Sequence, residues 1–336
     1  MPRSSRPFCP GRRRAALALL GAAATPLAGR ATPAPYPSRP VTLVVPFPPG
    51  GPADAVVRAI AEPLGQRLGQ PVIVDFKGGA AGIIACDSVA RAAPDGHTLL
   101  AATSDMLVNN SALFRQLPYD PLRDFTVVTQ VGSMPLVLAV NASIAAQDLA
   151  ALARVAQQQR GRLSYGSWGQ GTHAHLAAEW LFNHRLGADA VHTPYRGLAP
   201  LTQDLAAQRI SAAFGVVPGF APLVGNRTLK VLAVTGSRRV AAFPDTATFA
   251  EQGHADDIFQ QRLWLALVAP AATPAPVVQR LHREMVPIVH GAQVHERLAN
   301  AGFEALANNP EQARANLVHD LATVPRLVRD IGLQPQ

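Results

Sequence analysis

Cysteine is all but missing from this 336-residue chain, with Cys9 and Cys86 its only two. Cys9 lies in an N-terminal stretch expected to be removed, so Cys86 stands alone. A lone thiol cannot staple a fold, and in an apolar helical setting it reads as a small core residue. Charge is scarce as well, at 15% against 48% hydrophobic residues, a balance that excludes disorder. No apolar run is long enough to cross a bilayer. Enzyme signatures are missing. Ser167 has Tyr165 two positions before it, which breaks the nucleophile-elbow pattern. Neither glycine loop carries Gly-Lys-Ser/Thr, residues 77–82 space their glycines wrongly for a dinucleotide fingerprint, and Gly169-Gln170-Gly171 is only a fragment of one. His173 and His175 are two apart on a helix and diverge, so no metal site is expected; one should hydrogen-bond in a cleft and the other face solvent. No short fixed period appears, which excludes a solenoid.

The net charge of +8 suggests nucleic acid, but its location argues otherwise. Arg3, Arg6, Arg12, Arg13, Arg14 and Arg30 precede residue 32 and no acidic residue does. The remainder has 24 basic against 22 acidic residues. The basic excess therefore belongs to the N-terminus and not to a binding face. Arg12-Arg13-Arg14 followed by a ten-residue apolar run, 15–24, and small residues at Gly29 and Ala31 reads as an export signal over residues 1–34, by either ordinary or twin-arginine secretion.

The stretch VTLVVPFPPGGPADAVVRAI, residues 41–60, organises the rest of the chain. A β-branched run reads as a buried strand. Pro46, Pro48, Pro49, Gly50, Gly51 and Pro52 then permit neither strand nor helix interior. Helical spacing resumes at Ala55, Val56, Ala59, Ile60 and Leu64. Strand, glycine turn and helix point free N–H groups and a helix dipole at one spot, which suits an anion. Asp54 sits where a carboxylate caps the first turn.

Taken in order, strands are expected at 41–45, 72–75, 98–103, 191–194, 210–217 and 229–235, and helices at 53–68, 83–92, 147–158, 201–208, 274–289, 294–301 and 310–331. Residues 127–140 read as a strand pair or one long strand entering a second domain, and 263–268 as a return. Alternating β and α implies a mostly parallel sheet with ligands beyond the carboxyl ends of strands. Residues 163–182, LSYGSWGQGTHAHLAAEWLF, repeat the strand–glycine loop–helix logic. Trp168 and Tyr195 either line a pocket or pack, and Arg196 is expected to be solvated. Two such units facing across a cleft make an anion trap built from neutral groups, with no placed nucleophile or base.

These motifs resemble one family. YPSRP (36–40), VPFPPGGPAD (45–54), APDGHTLL (93–100), LPYDPLRDF (117–125), YGSWGQGTHAHLAAE (165–179), VHTPYRGLAP (191–200), LAVTGSRR (232–239) and LVAPAATP (267–274) occur in the order seen in the extracytoplasmic solute receptors of tripartite tricarboxylate transporters, the Bug receptors. The resemblance spans residues 36–331. It implies an α/β, two-domain periplasmic binding protein of type II, the Venus-flytrap kind. Domain 1 would comprise residues 35–137 and 264–336, and domain 2 residues 138–263. It further implies a non-enzymatic, monomeric receptor for a small organic carboxylate, working with transporter membrane subunits, with no cofactor and no nucleic-acid partner. The ligand residues it implies are Phe47, Pro49, Gly50, Gly51, Asp54, Thr103, Ser104, Ser167, Trp168, Gly169, Gly171, Thr172, His175 and Tyr195.

The chain departs from the family pattern at Ile83, where asparagine is common, and at Gly215, where aspartate is common. Trp168 replaces small polar residues. These changes are expected to strip polar groups from the cleft and favour a monocarboxylate or a long dicarboxylate with an apolar body over citrate. Two other readings stay open: a ligand-presenting partner of a sensor protein, and a cofactor-dependent α/β enzyme such as a transferase.

Overall fold

The structure, a computed structural model, describes residues 36–47, Pro49 and 52–335. The export stretch, Gly50 and Gly51 lie outside the described residues. Residues from Pro37 onward form one compact unit built on two sheets.

The strands are β1 (Val41–Val45), β2 (Val72–Phe76), β3 (Thr98–Thr103), β4 (Phe125–Met134), β5 (Val137–Asn141), β6 (Ser164–Ser167), β7 (Val191–Pro194), β8 (Ala212–Gly215), β9 (Leu229–Val234), β10 (Leu263–Pro270) and β11 (Glu304–Ala305). The first sheet has the order β11-β4-β10-β3-β1-β2 and the second β7-β6-β8-β5-β9. Both are mixed. β1 is parallel to β2 and β3, and β6 is parallel to β7 and β8. β10 runs antiparallel to β3 and β4, and β5 runs antiparallel to β8 and β9. The chain leaves the first sheet after Met134 and rejoins it at Leu263, so residues 127–140 are two strands with a crossing between them.

The helices are α1 (Pro52–Leu68), α2 (Ile83–Ala90), α3 (Asn110–Leu113), α4 (Leu149–Gln158), α5 (His173–Glu179), α6 (Leu198–Ala206), α7 (Val217–Gly225), α8 (Asp257–Gln260), α9 (Ala275–Val289), α10 (Ala292–Asn300) and α11 (Pro310–Asp330). Two are capped as their sequences suggest. Asp148 accepts from the Ala151 N–H at 2.6 Å, and Asn309 accepts from the Gln312 N–H at 2.8 Å, with Pro310 in the first turn. The strand expected at 210–217 is β8, which ends at Gly215, and the helix α7 that follows from Val217 has no counterpart in the sequence reading. Pro218, Gly219 and Pro222 are poor helix formers, but Pro218 lies in the first turn, where the lost N–H has no partner anyway, and Phe220 buries fully against β8.

The apolar strands account for the core, which runs continuously from Val44 and Leu100 in the first sheet to Phe214 and Leu232 in the second. Phe214, Phe249 and Phe259 stack within it, with Phe249 and Phe259 centroids 4.0 Å apart. Cys86 is fully buried on α2. Among the described residues no helix is long and apolar enough to cross a membrane.

Candidate functional site

A cavity of about 510 Å³ opens where the two sheets face each other. Pro46 and Phe47 follow β1, Thr103 ends β3, Trp168 follows β6, Gly197 and Leu198 follow β7, and Val216 follows β8. The site therefore lies beyond strand carboxyl ends, as the α/β alternation requires. Met106, Met134, Leu263 and Phe303 extend its apolar wall. The volume and the few polar groups set in apolar walls are those of a small-molecule site.

One wall is the loop 79–82. Four successive residues there have positive φ: Gly79 at 118°, Ala80 at 45°, Ala81 at 52° and Gly82 at 84°. Left-handed alanine costs about 1–2 kcal/mol, so something must hold the loop. Asn110 Nδ2 donates to the Ala81 carbonyl at 3.0 Å. A Cβ on Gly82 would lie 2.8 Å from the Met106 side chain, so the loop seats tightly on the next wall.

That next wall is a wide, π-type turn from Asp105 to Asn109 running into α3. Tyr119 donates to the Met106 carbonyl at 2.6 Å and pins it. Burial pushes the Tyr119 hydroxyl upward and the neighbouring Cys86 thiol up to about 12, so both stay protonated. Asp105 is the turn's polar centre. Its Oδ1 accepts from Asn109 Nδ2 at 2.8 Å and from the His173 N–H at 3.0 Å. It lies deep in the protein with part of its surface open to the cavity. Burial raises its carboxyl to about 6, opposed by the His173 N–H and the Trp168 side chain.

The second glycine loop departs from the expected free-amide trap. The Gly169 N–H reaches Ser167 Oγ at 3.4 Å, the Gly171 N–H donates to His175 Nδ1 at 3.0 Å, the Thr172 N–H to the Gly169 carbonyl at 3.3 Å, and the His173 N–H to Asp105. These donors have acceptors within the chain. Nor is the lining neutral, since the carboxylates of Asp54 and Asp105 belong to it. Asp54 is buried in the first turn of α1 and pairs with Arg58 Nε at 2.7 Å.

Behind the loop stands a ring stack. His175 and His192 lie 3.9 Å apart, Tyr165 stacks on His192 at 5.1 Å, and the Tyr165 hydroxyl bonds Glu179. Burial lowers His173, His175 and His192 to about 4, with the neighbouring His175 adding to the effect at His192. Both His173 and His175 are 3% exposed, which corrects the expectation that one faces solvent. They stay inside because α5 is buried along nearly its whole length.

Of the residues singled out from sequence, Phe47, Asp54, Thr103, Trp168, Gly171 and Thr172 line the cavity. The others named for the site are placed differently. Ser104 is buried, its Oγ facing the Trp264 N–H at 3.4 Å. Ser167 is fully buried and donates to the Gly169 carbonyl at 2.9 Å, with His192 Nε2 2.8 Å away. Gly169 accepts from Ser167 and Thr172. His175 braces the loop from behind, and Tyr195 donates to Asp204 at 2.9 Å. Pro49 is exposed, and Arg196 is exposed as expected. Ile83 packs on the core instead of lining the cavity, and a Cβ on Gly215 would strike the Phe220 ring at 2.3 Å, so these two positions do not shape the cleft. Asp105 and Asn110 escaped the sequence reading, although their position just after a strand carboxyl end was a usable signal. Met134, Leu263 and Phe303 gave no local signal. Among the described residues no group of three or more His, Cys, Asp or Glu is placed to hold a metal ion.

Comparison with known proteins adds kinship to this geometry. A family model described as the tripartite tricarboxylate transporter family receptor matches residues 56–333. The protein BugT of Bordetella pertussis is 33% identical over 298 residues, covering 88% of this chain and 90% of its own. A solved structure of R. palustris Rpa4515 with adipate has a TM-score of 0.78 at 30% identity, covering 90% of this chain and 100% of its own. MatC of Rhodopseudomonas palustris, solved with bound malate, has a TM-score of 0.75 at 29% identity, covering 87% and 100%.

Proposed function

Because the chain belongs to the tripartite tricarboxylate transporter receptor family, we propose that it is a periplasmic solute receptor that captures a small organic carboxylate with an apolar body and delivers it to the membrane subunits of such a transporter. The observation that carries this reading is the cavity between the sheets, with its aromatic and methionine walls and a handful of polar groups. The carboxylates held by the two solved R. palustris relatives support the ligand class. Thr103, Thr172, Asn110 and Gln170 are the neutral polar side chains of the lining, of which Thr172 and Asn110 already donate to the Gly169 and Ala81 carbonyls. Residues 35–137 with 264–336 and residues 138–263 act as two lobes that close on the ligand about the crossings near residues 135 and 262, as hinged binders do.

The protein is read as a receptor and not an enzyme. Ser167, the hydroxyl paired with a histidine, is fully buried and lies outside the cavity lining, so it does not face a bound molecule. Export relies on the N-terminal arginine cluster and apolar run, giving a monomeric mature protein that begins near residue 32 or 35; N-terminal sequencing of periplasmic material checks the cleavage. A thermal-shift screen of the mature protein against small organic acids tests the function, because a ligand of the folded state raises its melting temperature. Shifts with apolar-bodied carboxylates are expected. Stabilisation only by nucleotides or sugars would overturn the reading.

A further inference from the structure

The cavity has an unexpected charge pattern for a carboxylate receptor. Among the described residues its charged lining is Asp54 and Asp105, and no lysine, arginine or histidine joins them. The two carboxylates are not equivalent. Asp54 has a cationic partner in Arg58 at 2.7 Å. Among the described residues Asp105 is held only by neutral donors, the Asn109 amide at 2.8 Å and the His173 N–H at 3.0 Å, with the Trp168 side chain beside it. A deep carboxylate without a counter-charge is costly to keep, and it disfavours any further negative charge brought close in the same low-dielectric space.

We propose that Asp105 is a specificity-determining residue that limits the ligand to one carboxylate: the end of the ligand lying against Asp105, Met106 and Trp168 is uncharged. This rests on the receptor reading above and narrows it. The apolar neighbours Met106 and Trp168 suit an alkyl or aryl end, whereas a second carboxylate there would face a like charge across apolar walls. The residue's bonding role is separable from its charge. Asparagine at this position keeps an Oδ1 that can accept from both the His173 N–H and Asn109 Nδ2, and it removes the charge. A purely structural residue would alter the binding of all ligands alike, whereas a charge filter alters the ratio between ligands that differ by one carboxylate.

The test is titration calorimetry of the mature protein and of Asp105→Asn with two matched pairs, hexanoate against adipate and benzoate against terephthalate, at pH 7.5. The wild type is expected to bind the monocarboxylate of at least one pair tenfold or more tighter than its dicarboxylate. Asp105→Asn is expected to shrink that ratio at least tenfold. Equal or tighter binding of the dicarboxylate by the wild type in both pairs would overturn the proposal, as would an unchanged ratio in Asp105→Asn. Should the variant fold poorly, the wild-type ratio alone decides. Both pairs binding with equal strength would sink the charge filter and leave the receptor reading standing. Binding of neither member of either pair would refute the receptor reading and the filter with it.

Discussion

Replacing Asp105 with asparagine should stabilise the protein at neutral pH and change little at pH 4. Folding carries this carboxyl from 3.8 to about 6, burial being the main cause. At about 1.36 kcal/mol per pH unit, that corresponds to about 3 kcal/mol. The sign follows from which state holds the proton more tightly. The folded value lies above the unfolded one, so the group's contribution to stability is fully present below pH 3.8 and is lost as the pH rises through 6. Above that, the wild type carries a desolvated charge that asparagine does not. Unfolding roughly 300 residues changes the entropy by about 0.6 kcal/mol per degree, so the gain should appear as a rise of roughly 5 °C in melting temperature. Paired melts of wild type and Asp105→Asn from pH 4 to pH 8 measure it. Identical melts at pH 7.5 would refute the reasoning. A gain that does not vary with pH would show that the charge is not its source.

Three further outcomes are expected. His173, His175 and His192 are held near 4, below the ordinary histidine value of 6.5. Their neutral forms are favoured in the fold, so stability is full above pH 6.5 and is lost as the pH falls from there through 4; melts across that window should show the loss, and His192→Gln should flatten it. Tyr119→Phe leaves the buried Met106 carbonyl without its donor and should cost ~1–3 kcal/mol in urea denaturation. Gly171 has φ of 79°, and a Cβ there would lie 2.5 Å from Leu113 Cδ1, so Gly171→Ala should destabilise by ~1–3 kcal/mol. Adding Leu113→Ala should relieve the clash but not the backbone strain, and full recovery of the melting temperature in the double variant would contradict this.

Elements whose burial is written in their own residues were legible. The β-branched run before Pro46 is β1, the apolar spacing after it is α1, and VHTP at 191–194 is β7 to the residue. Where local pattern and tertiary context disagree, the reading failed for a physical reason. SDMLVNN has no clear period, because a π-type turn satisfies neither the helical nor the strand repeat. α7 is hidden by two prolines and a glycine that its burial of Phe220 overrides. The site was half legible. Trp168, Thr103 and Phe47 follow strand ends and were found by topology, whereas Phe303 and Leu263 reach the cavity only because the chain returns from the second sheet. The amides of the second loop looked free in sequence. Their acceptors, above all Asp105, which is 68 residues from His173, are set by the fold. Ile83 and Gly215 misled because alignment to a family motif gives position along the chain and not the direction a side chain points.

The central claim is that a carboxylate with an apolar body binds in the cavity between the sheets. Trp168 is half-buried against the core and forms part of that cavity's wall. Titration calorimetry of the mature protein with the best organic acid from a thermal-shift screen, run beside Trp168→Ala, tests it most directly. Removing an aromatic wall from an apolar site should weaken binding by about 1–3 kcal/mol, roughly tenfold to a hundredfold, while the melting temperature of the unliganded protein changes little. A saturable heat in the wild type that falls by that factor in Trp168→Ala is the predicted result. No organic acid giving a saturable heat, or an affinity indifferent to Trp168, would contradict it.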